Sequence, residues 1–237
     1  MSGMVIVGGG QAGYSVSHKL RLMGFRGAIT IVCSEQNYPY QRPPLSKKFL
    51  MGELSKERLF FKPDYFYKEN AISIKLGVTV LEIDRQSKKV TCSDNTCLSY
   101  EKLFLVTGSE PIVFPESLGG NLSRKYYIRA LDDIRIIRKE FKSGKRVLII
   151  GGGYIGLEIA AAARKKNLQV VLVESQERIL KRVACLQTAT FFKNLHEKNG
   201  VKVIQGQSIV KLIGNNDVFA GAVLDSGEEL TADFCVI

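Results

Sequence analysis

The sequence predicts an α/β fold made of two similar domains, each a three-layer arrangement with a mostly parallel sheet between helices. A glycine pattern of the form G-x-G-x-x-G occurs twice, about 140 residues apart. Each copy follows a short apolar run typical of a buried strand and opens a helical pattern. A second apolar strand comes next, with an acidic residue one or two positions after it. We therefore predict two Rossmann-like domains, at residues 1–110 and 111–237.

The two copies read MVIVGGGQAGYSVSHKLRLMGFRGAITIVCSE and RVLIIGGGYIGLEIAAAARKKNLQVVLVES. The helical pattern ends at Gly24 in the first copy and at Asn167 in the second, which are typical helix stops. The second strands are predicted at residues 28–33 and 169–173. One such glycine pattern is weak evidence of a ligand site, but two copies in the same structural context favour nucleotide binding over two glycine-rich turns.

Each glycine of the pattern has a physical task. The first permits a tight turn, the second lets a pyrophosphate approach the backbone, and the third lets the helix pack against the sheet. The phosphates then lie at the helix N-terminus, where N–H groups and the helix dipole favour negative charge. In this order the glycines are Gly8, Gly10 and Gly13 in the first copy and Gly151, Gly153 and Gly156 in the second. Two dinucleotide sites imply two dinucleotides, and the simplest chemical pairing is FAD with NAD(P)H.

Between the copies, the segment VTVLEIDRQSKKVTCSDNTCLSYEKLFLVTGSEP is predicted to form short alternating strands with a turn at residues 93–95. We interpret Cys92 and Cys97, which flank this turn, as ordinary thiols, because the five cysteines are odd in number and irregularly spaced. Thr107 and Gly108 follow the last strand. They could bring a hydroxyl and an N–H group to a ligand or simply form a turn.

The composition, 45% hydrophobic and 24% charged, is that of an ordinary globular protein. Its formal net charge is +11, and the basic residues are scattered. Such a surface favours acidic partners or is simply a solvated, lysine-rich exterior. No apolar run reaches the roughly 20 residues of a membrane span. A strand is predicted almost from residue 4, so we expect no leader, no membrane association and a cytoplasmic location. No metal-ligating cluster is found, so no metal site is predicted.

The segments VGGGQAG, YQRPPLSK, VTVLEID, LFLVTGS, YIRALDD, IIGGGYIGLE and VLVES, in this order, resemble the FAD-dependent, NADH-linked ferredoxin reductases. That family includes putidaredoxin, rhodocoxin and rubredoxin reductases and the reductase components of aromatic dioxygenases. The resemblance covers essentially all 237 residues. It implies hydride transfer from NADH to FAD and single-electron transfer to a small acidic iron–sulfur protein (a ferredoxin) or a rubredoxin. Related disulfide reductases carry a redox C-x4-C where this chain has PPLSKKF, without a cysteine.

The resemblance also implies positions that bind FAD. It places Lys47 by the reactive edge of the flavin, with Arg42 nearby, whereas the residue alone could be a solvated helix lysine. Backbone atoms of Val80 are expected at the adenine. The family has its ribose-binding acid at the position of Ser34, so either this hydroxyl or the carboxylate of Glu35 is expected to serve. Further FAD contacts are implied at Ala12, Gly13, Thr107, Gly108 and Arg129.

In the second copy, Glu174 ends the strand, where a carboxylate accepts hydrogen bonds from a ribose 2′-hydroxyl and repels a 2′-phosphate. This favours NADH over NADPH, although Arg178 leaves NADPH open. By resemblance, Tyr154 is an aromatic gate that shields the flavin, Ile155 belongs to the same coenzyme-binding turn, and Glu158 lies close to the nicotinamide. From the residues alone, Tyr154 could equally be a packing tyrosine and Glu158 a helix carboxylate. The candidate catalytic residues are Lys47, Tyr154 and Glu158.

The chain stops at LTADFCVI, where the family continues with a second FAD segment and a C-terminal interface domain. We therefore expect a C-terminally truncated fold that holds FAD weakly at best. Other interpretations are a reductase with a different acceptor, such as monodehydroascorbate or a nitrite reductase module, and a protein resembling apoptosis-inducing factor. The latter would use its basic surface to bind nucleic acid. The scattered lysines favour the reductase, so nucleic acid is not an expected partner.

Overall fold

The computed structural model describes residues 3–237, which form two compact units. The first unit contains residues 3–42 and Leu54–Glu110. The second contains Pro43–Glu53 and Pro111–Ile237, so an eleven-residue segment from the first half of the chain packs in the second unit. The predicted α/β fold class is confirmed, with a mostly parallel sheet in each unit. The assignment of FAD to residues 1–110 and NAD(P) to residues 111–237 stays a prediction.

The described residues contain six α-helices and fourteen β-strands. The helices are α1 (Gln11–Leu22), α2 (Lys48–Met51), α3 (Asp64–Glu69), α4 (Leu131–Ile137), α5 (Tyr154–Lys165) and α6 (Leu186–Lys198). The strands are β1 (Gly3–Val7), β2 (Ile29–Cys33), β3 (Ile72–Leu76), β4 (Val80–Asp84), β5 (Lys89–Cys92), β6 (Cys97–Leu105), β7 (Lys125–Tyr126), β8 (Arg146–Ile150), β9 (Gln169–Glu174), β10 (Val201–Gln205), β11 (Ile209–Asn215), β12 (Val218–Leu224), β13 (Glu229–Thr231) and β14 (Phe234–Val236).

The first unit is built on a six-stranded sheet with the order β3-β2-β1-β6-β5-β4. Strand β1 pairs in parallel with both β2 and β6, so the first glycine pattern leaves the middle of the sheet. Ile6 and Ile31 on these strands are fully buried, which explains the apolar run before the glycines. The carboxyl ends of β1 and β6 lie at the same edge of the sheet, where ligands bind in open α/β sheets.

The predicted hairpin in the first unit is confirmed, because β5 and β6 pair antiparallel on either side of the predicted turn. The turn is closed by Asn95, whose N–H donates to the Cys92 carbonyl at 3.0 Å, and Asn95 has a φ of +61°. An asparagine tolerates this left-handed conformation better than most residues. Cys92 is buried, Cys97 is exposed, and neither forms a disulfide.

The second unit has a parallel sheet with the order β10-β9-β8-β14-β7 and a separate antiparallel sheet of β11, β12 and β13. Strand β8 lies between β9 and β14, so the second glycine pattern also leaves an inner strand. The apolar run near the end of the sequence forms β14, all of whose residues are buried. Helix α5 buries three alanines, Ala160, Ala162 and Ala163. Their small side chains let the helix pack close to the sheet.

A nearly buried carboxylate, Glu140, joins three side chains of the second unit. Lys145 donates to its Oε2 atom, the Tyr126 hydroxyl donates to Oε1 at 3.1 Å, and Arg124 Nε lies 3.7 Å away. Burial by itself raises the pKa of Glu140. The hydrogen bonds from Lys145 and Tyr126 and the two nearby cations outweigh burial and hold the pKa below its usual value.

Because the pKa of Glu140 is lower in the folded state, its ionised form stabilises the fold above pH 4.5, the usual value, and this contribution disappears as the pH falls through the folded pKa. We expect Glu140→Gln to lower the free energy of unfolding at pH 7 by about 1–3 kcal/mol. Denaturant unfolding at pH 7 and pH 3.5 should show that the difference from wild type shrinks in acid. Glu197→Gln is the control, since its exposed pair with Lys193 contributes little. An equal loss at both pH values would contradict this account.

Within residues 3–237, no helix has both the length and the apolar character needed to cross a membrane. In the same part of the chain, no group of three or more histidine, cysteine, aspartate or glutamate side chains is arranged to hold a metal ion.

Candidate functional site

The two glycine turns have the same geometry in both units. Gly8 and Gly151 begin the turns with φ values of +123° and +113°, a backbone conformation that favours glycine. A Cβ on Gly13 would lie 2.0 Å from the Gly8 carbonyl oxygen, and a Cβ on Gly156 would lie 2.0 Å from that of Gly151. Each helix therefore packs directly on the turn that precedes it, and a side chain at either third glycine would disrupt this packing.

The second glycine of each turn faces open space. Gly10 and Gly153 are the N-cap residues of α1 and α5, and no side chain caps either helix. A Cβ built on either glycine would meet no atom within 4 Å. Both glycines have φ and ψ values that any residue adopts, −85° and −165° for Gly10 and −79° and −175° for Gly153. Packing does not require glycine here, whereas a phosphate against uncapped N–H groups would. The two turns therefore fit the dinucleotides that the sequence predicts.

The acidic residue Glu174 at the end of β9 is bound to the second glycine turn. Its Oε2 atom accepts a hydrogen bond from Gly152 N–H at 2.7 Å, and Oε1 accepts one from Gln176 N–H at 2.8 Å. These bonds hold the carboxylate at the edge of a cavity of about 440 Å³. Its lining includes Gly153, Tyr154, Glu174, Lys181, Arg182 and Val183. A carboxylate oriented in this way can still accept a hydrogen bond from a ribose hydroxyl through its remaining lone pairs.

Arg178, whose positive charge made NADPH an alternative coenzyme, forms a hydrogen bond within its own loop. Its Nη2 atom donates to the Ala184 carbonyl at 2.9 Å, and its Nη1 atom is buried without a hydrogen-bond partner in residues 3–237. The cations that line the cavity are Lys181 and Arg182, and Lys181 pairs with Glu177. Arg178 is therefore not among the cavity-lining cations.

In the first unit, the acidic residue after β2 is tied to Arg42. Glu35 accepts hydrogen bonds from the Tyr40 hydroxyl at 2.6 Å and from Arg42 Nη2 at 2.5 Å. Arg42 also lies over the Tyr40 ring, with its Cζ atom 5.2 Å from the ring centroid. Ser34 is exposed beside this group. Two candidate FAD contacts, Glu35 and Arg42, thus form one bonded cluster.

The remaining candidates of the first unit lie along its sheet. Thr107 and Gly108 follow β6, and the Val106 carbonyl oxygen would be 2.1 Å from a Cβ on Gly8, so this strand end touches the glycine turn. Val80 is half-buried at the start of β4. Ala12 is exposed in the first turn of α1. These positions are compatible with a dinucleotide along the carboxyl edge of the sheet, and their roles stay predictions.

The second unit brings Lys47 and Glu158 together although they are 111 positions apart in the chain. Lys47 Nζ lies 2.8 Å from Glu158 Oε1, and the hydroxyl of Ser46 donates to Glu158 Oε2. Ser46 is 5% exposed, whereas half of the Lys47 side chain is accessible. Glu158 lies one turn into α5, just beyond the uncapped Gly153. Lys47 Nζ also donates to the Pro43 carbonyl at 3.3 Å. The ion pair therefore lies one helical turn from the second glycine turn, with half of the Lys47 side chain accessible.

Two other candidates of the second unit begin α5 beside this pair. Tyr154 is 57% exposed and Ile155 is 51% exposed, so both side chains are available for contact with a ligand. Arg129 is half-buried just before α4, and its N–H donates to Asp133 at 2.8 Å. Its role stays a prediction.

Comparisons of the sequence and of the structure with known proteins indicate one family. The sequence profile described as "Pyridine nucleotide-disulphide oxidoreductase" matches residues 2–237. The chain belongs to this family. Rhodocoxin reductase of Rhodococcus erythropolis is 35% identical over 234 residues, which are 99% of this chain and 55% of that protein. Putidaredoxin reductase of Pseudomonas putida is 34% identical over 237 residues, which are 98% of this chain and 56% of that protein.

Solved structures of family members match the whole chain. The reductase in a covalent putidaredoxin reductase–putidaredoxin complex has a TM-score of 0.95 and 33% identity, covering 99% of this chain and 57% of that one. The ferredoxin reductase for the CYP199A2 system of Rhodopseudomonas palustris has a TM-score of 0.95 and 32% identity, covering 100% and 58%. The resemblance to ferredoxin reductases is thus confirmed. The chain spans little more than half the length of these relatives.

The structure of this family member also shows residues that the sequence analysis missed. A Cβ on Gly9 would lie 2.3 Å from Cys33 Sγ, and a Cβ on Gly152 would lie 2.6 Å from Ile179, so the middle glycines are required by packing. The sequence could have indicated these two glycines, since both turns contain three consecutive glycines. Ser46 and Tyr40 bind the carboxylates of Glu158 and Glu35, and no local pattern marks them as partners of those residues.

Proposed function

We propose that this chain is the nucleotide-binding part of an NADH-dependent flavoprotein reductase of the ferredoxin and rubredoxin reductase type. The observation that carries the proposal is the pair of open glycine turns, each at the uncapped start of a twelve-residue helix. FAD would bind at the first turn and NADH at the second, as the family resemblance implies. Bound FAD would accept a hydride from NADH and release electrons one at a time to an external carrier.

The chain's own residues have distinct roles in this proposal. In the first unit, the N–H groups that start α1 would hold the FAD pyrophosphate, with Ala12 and Gly13 among them, and Ser34 or Glu35 would lie by the ribose. Because Arg42 is bound to Glu35, it would then act at the ribose and not at the reactive edge of the flavin. Val80 would contact the adenine, and Thr107, Gly108 and Arg129 would contact the remainder of FAD. In the second unit, α5 would hold the coenzyme pyrophosphate, and Tyr154 and Ile155 would cover its first turn.

Lys47 and Glu158 would act at the reacting edge of the two nucleotides. The carboxylate of Glu158 holds the ammonium group of Lys47 in one place, so that the positive charge is positioned before the reaction begins. A fixed positive charge stabilises negative charge that develops on a bound group, at no reorganisation cost during the reaction. Glu158, one helical turn from the coenzyme-binding glycines, would orient the nicotinamide.

The expected carrier is a small acidic ferredoxin or a rubredoxin. Two relatives are named rhodocoxin reductase and rubredoxin-NAD(+) reductase, and one solved relative is bound to putidaredoxin. With a formal net charge of +11, this chain would attract an acidic carrier over a long range. The rate of carrier reduction should therefore fall as the salt concentration rises.

The test is anaerobic rapid mixing of the 237-residue chain, in a large excess of FAD, with NADH and separately with NADPH. Fast loss of the flavin absorption band with NADH, beyond the rate for free FAD, is the expected result. A small [2Fe–2S] ferredoxin or a rubredoxin added next should be reduced. If calorimetry shows that FAD and NADH are both bound and the flavin absorption band nevertheless persists, the chain is not a reductase of this type.

Coenzyme choice is expected to depend on Glu174, because its carboxylate repels the 2′-phosphate of NADPH. Glu174→Gln keeps the shape but removes the charge, so we expect the ratio of NADH to NADPH affinity to fall by about tenfold or more, roughly 1.4 kcal/mol. Titration calorimetry of the 237-residue chain with each reduced coenzyme measures this ratio. Glu35→Gln is the matched control in the first unit and should leave the ratio unchanged. An unchanged ratio in Glu174→Gln would assign the selection to other residues.

A further inference from the structure

The segment Pro43–Glu53 contains Lys47. This segment is too short to hold a stable conformation without contacts from the rest of the chain. It consists of a short 3-10 turn, Pro43–Ser46, followed by the four-residue helix α2. Isolated helices of this length are unstable in water, because nucleation costs more than a few hydrogen bonds return. The segment leaves the first unit after Arg42 and rejoins it at Leu54, and between these points it packs in the second unit. Contacts with the second unit must therefore fix its orientation.

Arg138, the C-cap residue of α4, makes two contacts with helix α2 in the C-terminal half of this segment. Its Nε atom donates a hydrogen bond to the Leu50 carbonyl oxygen at 3.2 Å. Its guanidinium Cζ atom lies 4.4 Å from the centroid of the Phe49 ring, over the ring face. Phe49 and Leu50 are 4% and 3% exposed. A planar guanidinium can stack and donate at once, which an ammonium group cannot do.

The contact of Arg138 with the segment has a cost in hydrogen bonding. Its Nη2 atom is buried and has no hydrogen-bond partner in the described part of the chain. Leaving a buried donor unsatisfied is unfavourable. The guanidinium is held over Phe49 at the expense of its own hydrogen bonding. The contacts with Phe49 and Leu50 therefore hold this guanidinium, and with it the end of the segment, in one place.

We propose that Arg138 is the positioning residue for Lys47 in the reaction proposed above, on which this inference rests. Lys47 is the N-cap of α2, and Met51 N–H donates to the Lys47 carbonyl at 3.1 Å. Arg138 holds Phe49 and Leu50, which lie two and three residues further along. Because α2 is a single turn, fixing these residues fixes the N-cap, and with it the approach of Lys47 to Glu158. Arg138 acts on the Lys47–Glu158 pair through the segment and not by contact with either charged group. It is therefore not a catalytic residue.

The first experiment measures the position of Lys47 without any nucleotide. A carbodiimide joins an adjacent ammonium and carboxylate through an amide bond with loss of water, and peptide mass spectrometry measures the yield of the Lys47–Glu158 link. We expect Arg138→Met, which keeps apolar bulk over Phe49, to lower this yield at least fivefold, and Arg138→Lys to lower it less. Arg135→Ala is the control on the same helix, since Arg135 is exposed and pairs with Asp132. Its yield should equal that of wild type.

Hydrogen exchange of the same variants shows whether the effect is local. In Arg138→Met, the amides of Met51, Gly52 and Glu53 should exchange at least tenfold faster, while those of β8 keep the wild-type rate. Flavin reduction at saturating NADH should slow about tenfold, with the NADH dissociation constant changed less than twofold. A merely structural role would instead weaken NADH binding and protection throughout the second unit.

The outcomes separate this inference from the proposed function. An unchanged crosslink yield in Arg138→Met overturns the positioning role, whatever the kinetics. A reduced yield with an unchanged rate of flavin reduction overturns it as well, since the position of Lys47 would then not matter for the reaction. If NADH does not reduce the flavin in wild type, the reductase proposal fails, and the crosslink and exchange results alone decide whether Arg138 positions Lys47.

Discussion

Gly153→Ala should weaken NADH binding by about 100-fold or more, roughly 2.7 kcal/mol, while leaving the fold as stable as the wild type. The structure separates these effects, because a Cβ on Gly153 meets no protein atom within 4 Å and the backbone there suits any residue. The added methyl group would instead occupy the space in which a pyrophosphate must approach the N–H groups of α5. Calorimetric titration with NADH and thermal unfolding of the same samples measure the two quantities.

Two further alanine variants serve as matched controls. Gly10→Ala makes the same change in the first unit and should weaken FAD binding without affecting NADH. Gly156→Ala should weaken NADH binding and also destabilise the fold, because its Cβ would lie 2.0 Å from a backbone carbonyl oxygen that cannot move cheaply. Normal NADH affinity in stable Gly153→Ala protein would show that no pyrophosphate lies against this glycine, and the proposed function would lose its main support.

Removing either Lys47 or Glu158 should slow flavin reduction by NADH about 100-fold, the lower end of the effect of removing one preorganised donor from a reaction. The ion pair itself contributes little to stability, because half of the Lys47 side chain is accessible to solvent. We therefore expect Lys47→Met and Glu158→Gln to change the free energy of unfolding by less than about 1 kcal/mol. Anaerobic rapid mixing at saturating FAD and NADH measures the rate.

A double-mutant cycle shows whether the two residues act as a pair. If Glu158 works by holding Lys47, the double variant should react no more slowly than the slower single variant. If the two losses multiply, each residue acts on its own, and the positioning of the ammonium group is not the explanation. Lys68→Met, which breaks an exposed pair with Asp64 at 3.1 Å in the first unit, is the control and should react at the wild-type rate.

The repeated units of strand, glycine turn and helix could be predicted from the chain alone. The reasons are local: a buried strand must be apolar, a left-handed turn favours glycine at Gly8 and Gly151, and a third glycine is needed where a helix touches its own turn. The hairpin at residues 93–95 was equally local, since asparagine accepts the conformation that the turn requires. Glu174 could be identified from the chain because it ends the strand that pairs with the strand before the glycines, and its carboxylate does bind Gly152 N–H.

The contacts between residues that are distant in the chain could not be predicted in this way. Pro43–Ser46 and α2 belong to the second unit, and no local pattern can show this, because a single helical turn takes its orientation from whatever it packs against. The pairing of Lys47 with Glu158 and the contact of Arg138 with Phe49 both follow from that packing. Side chains far apart in the chain meet only where the folded backbone brings them within a few ångströms. Local physics is therefore enough to predict the two glycine turns, whereas packing brings together the charged pair beside the second one.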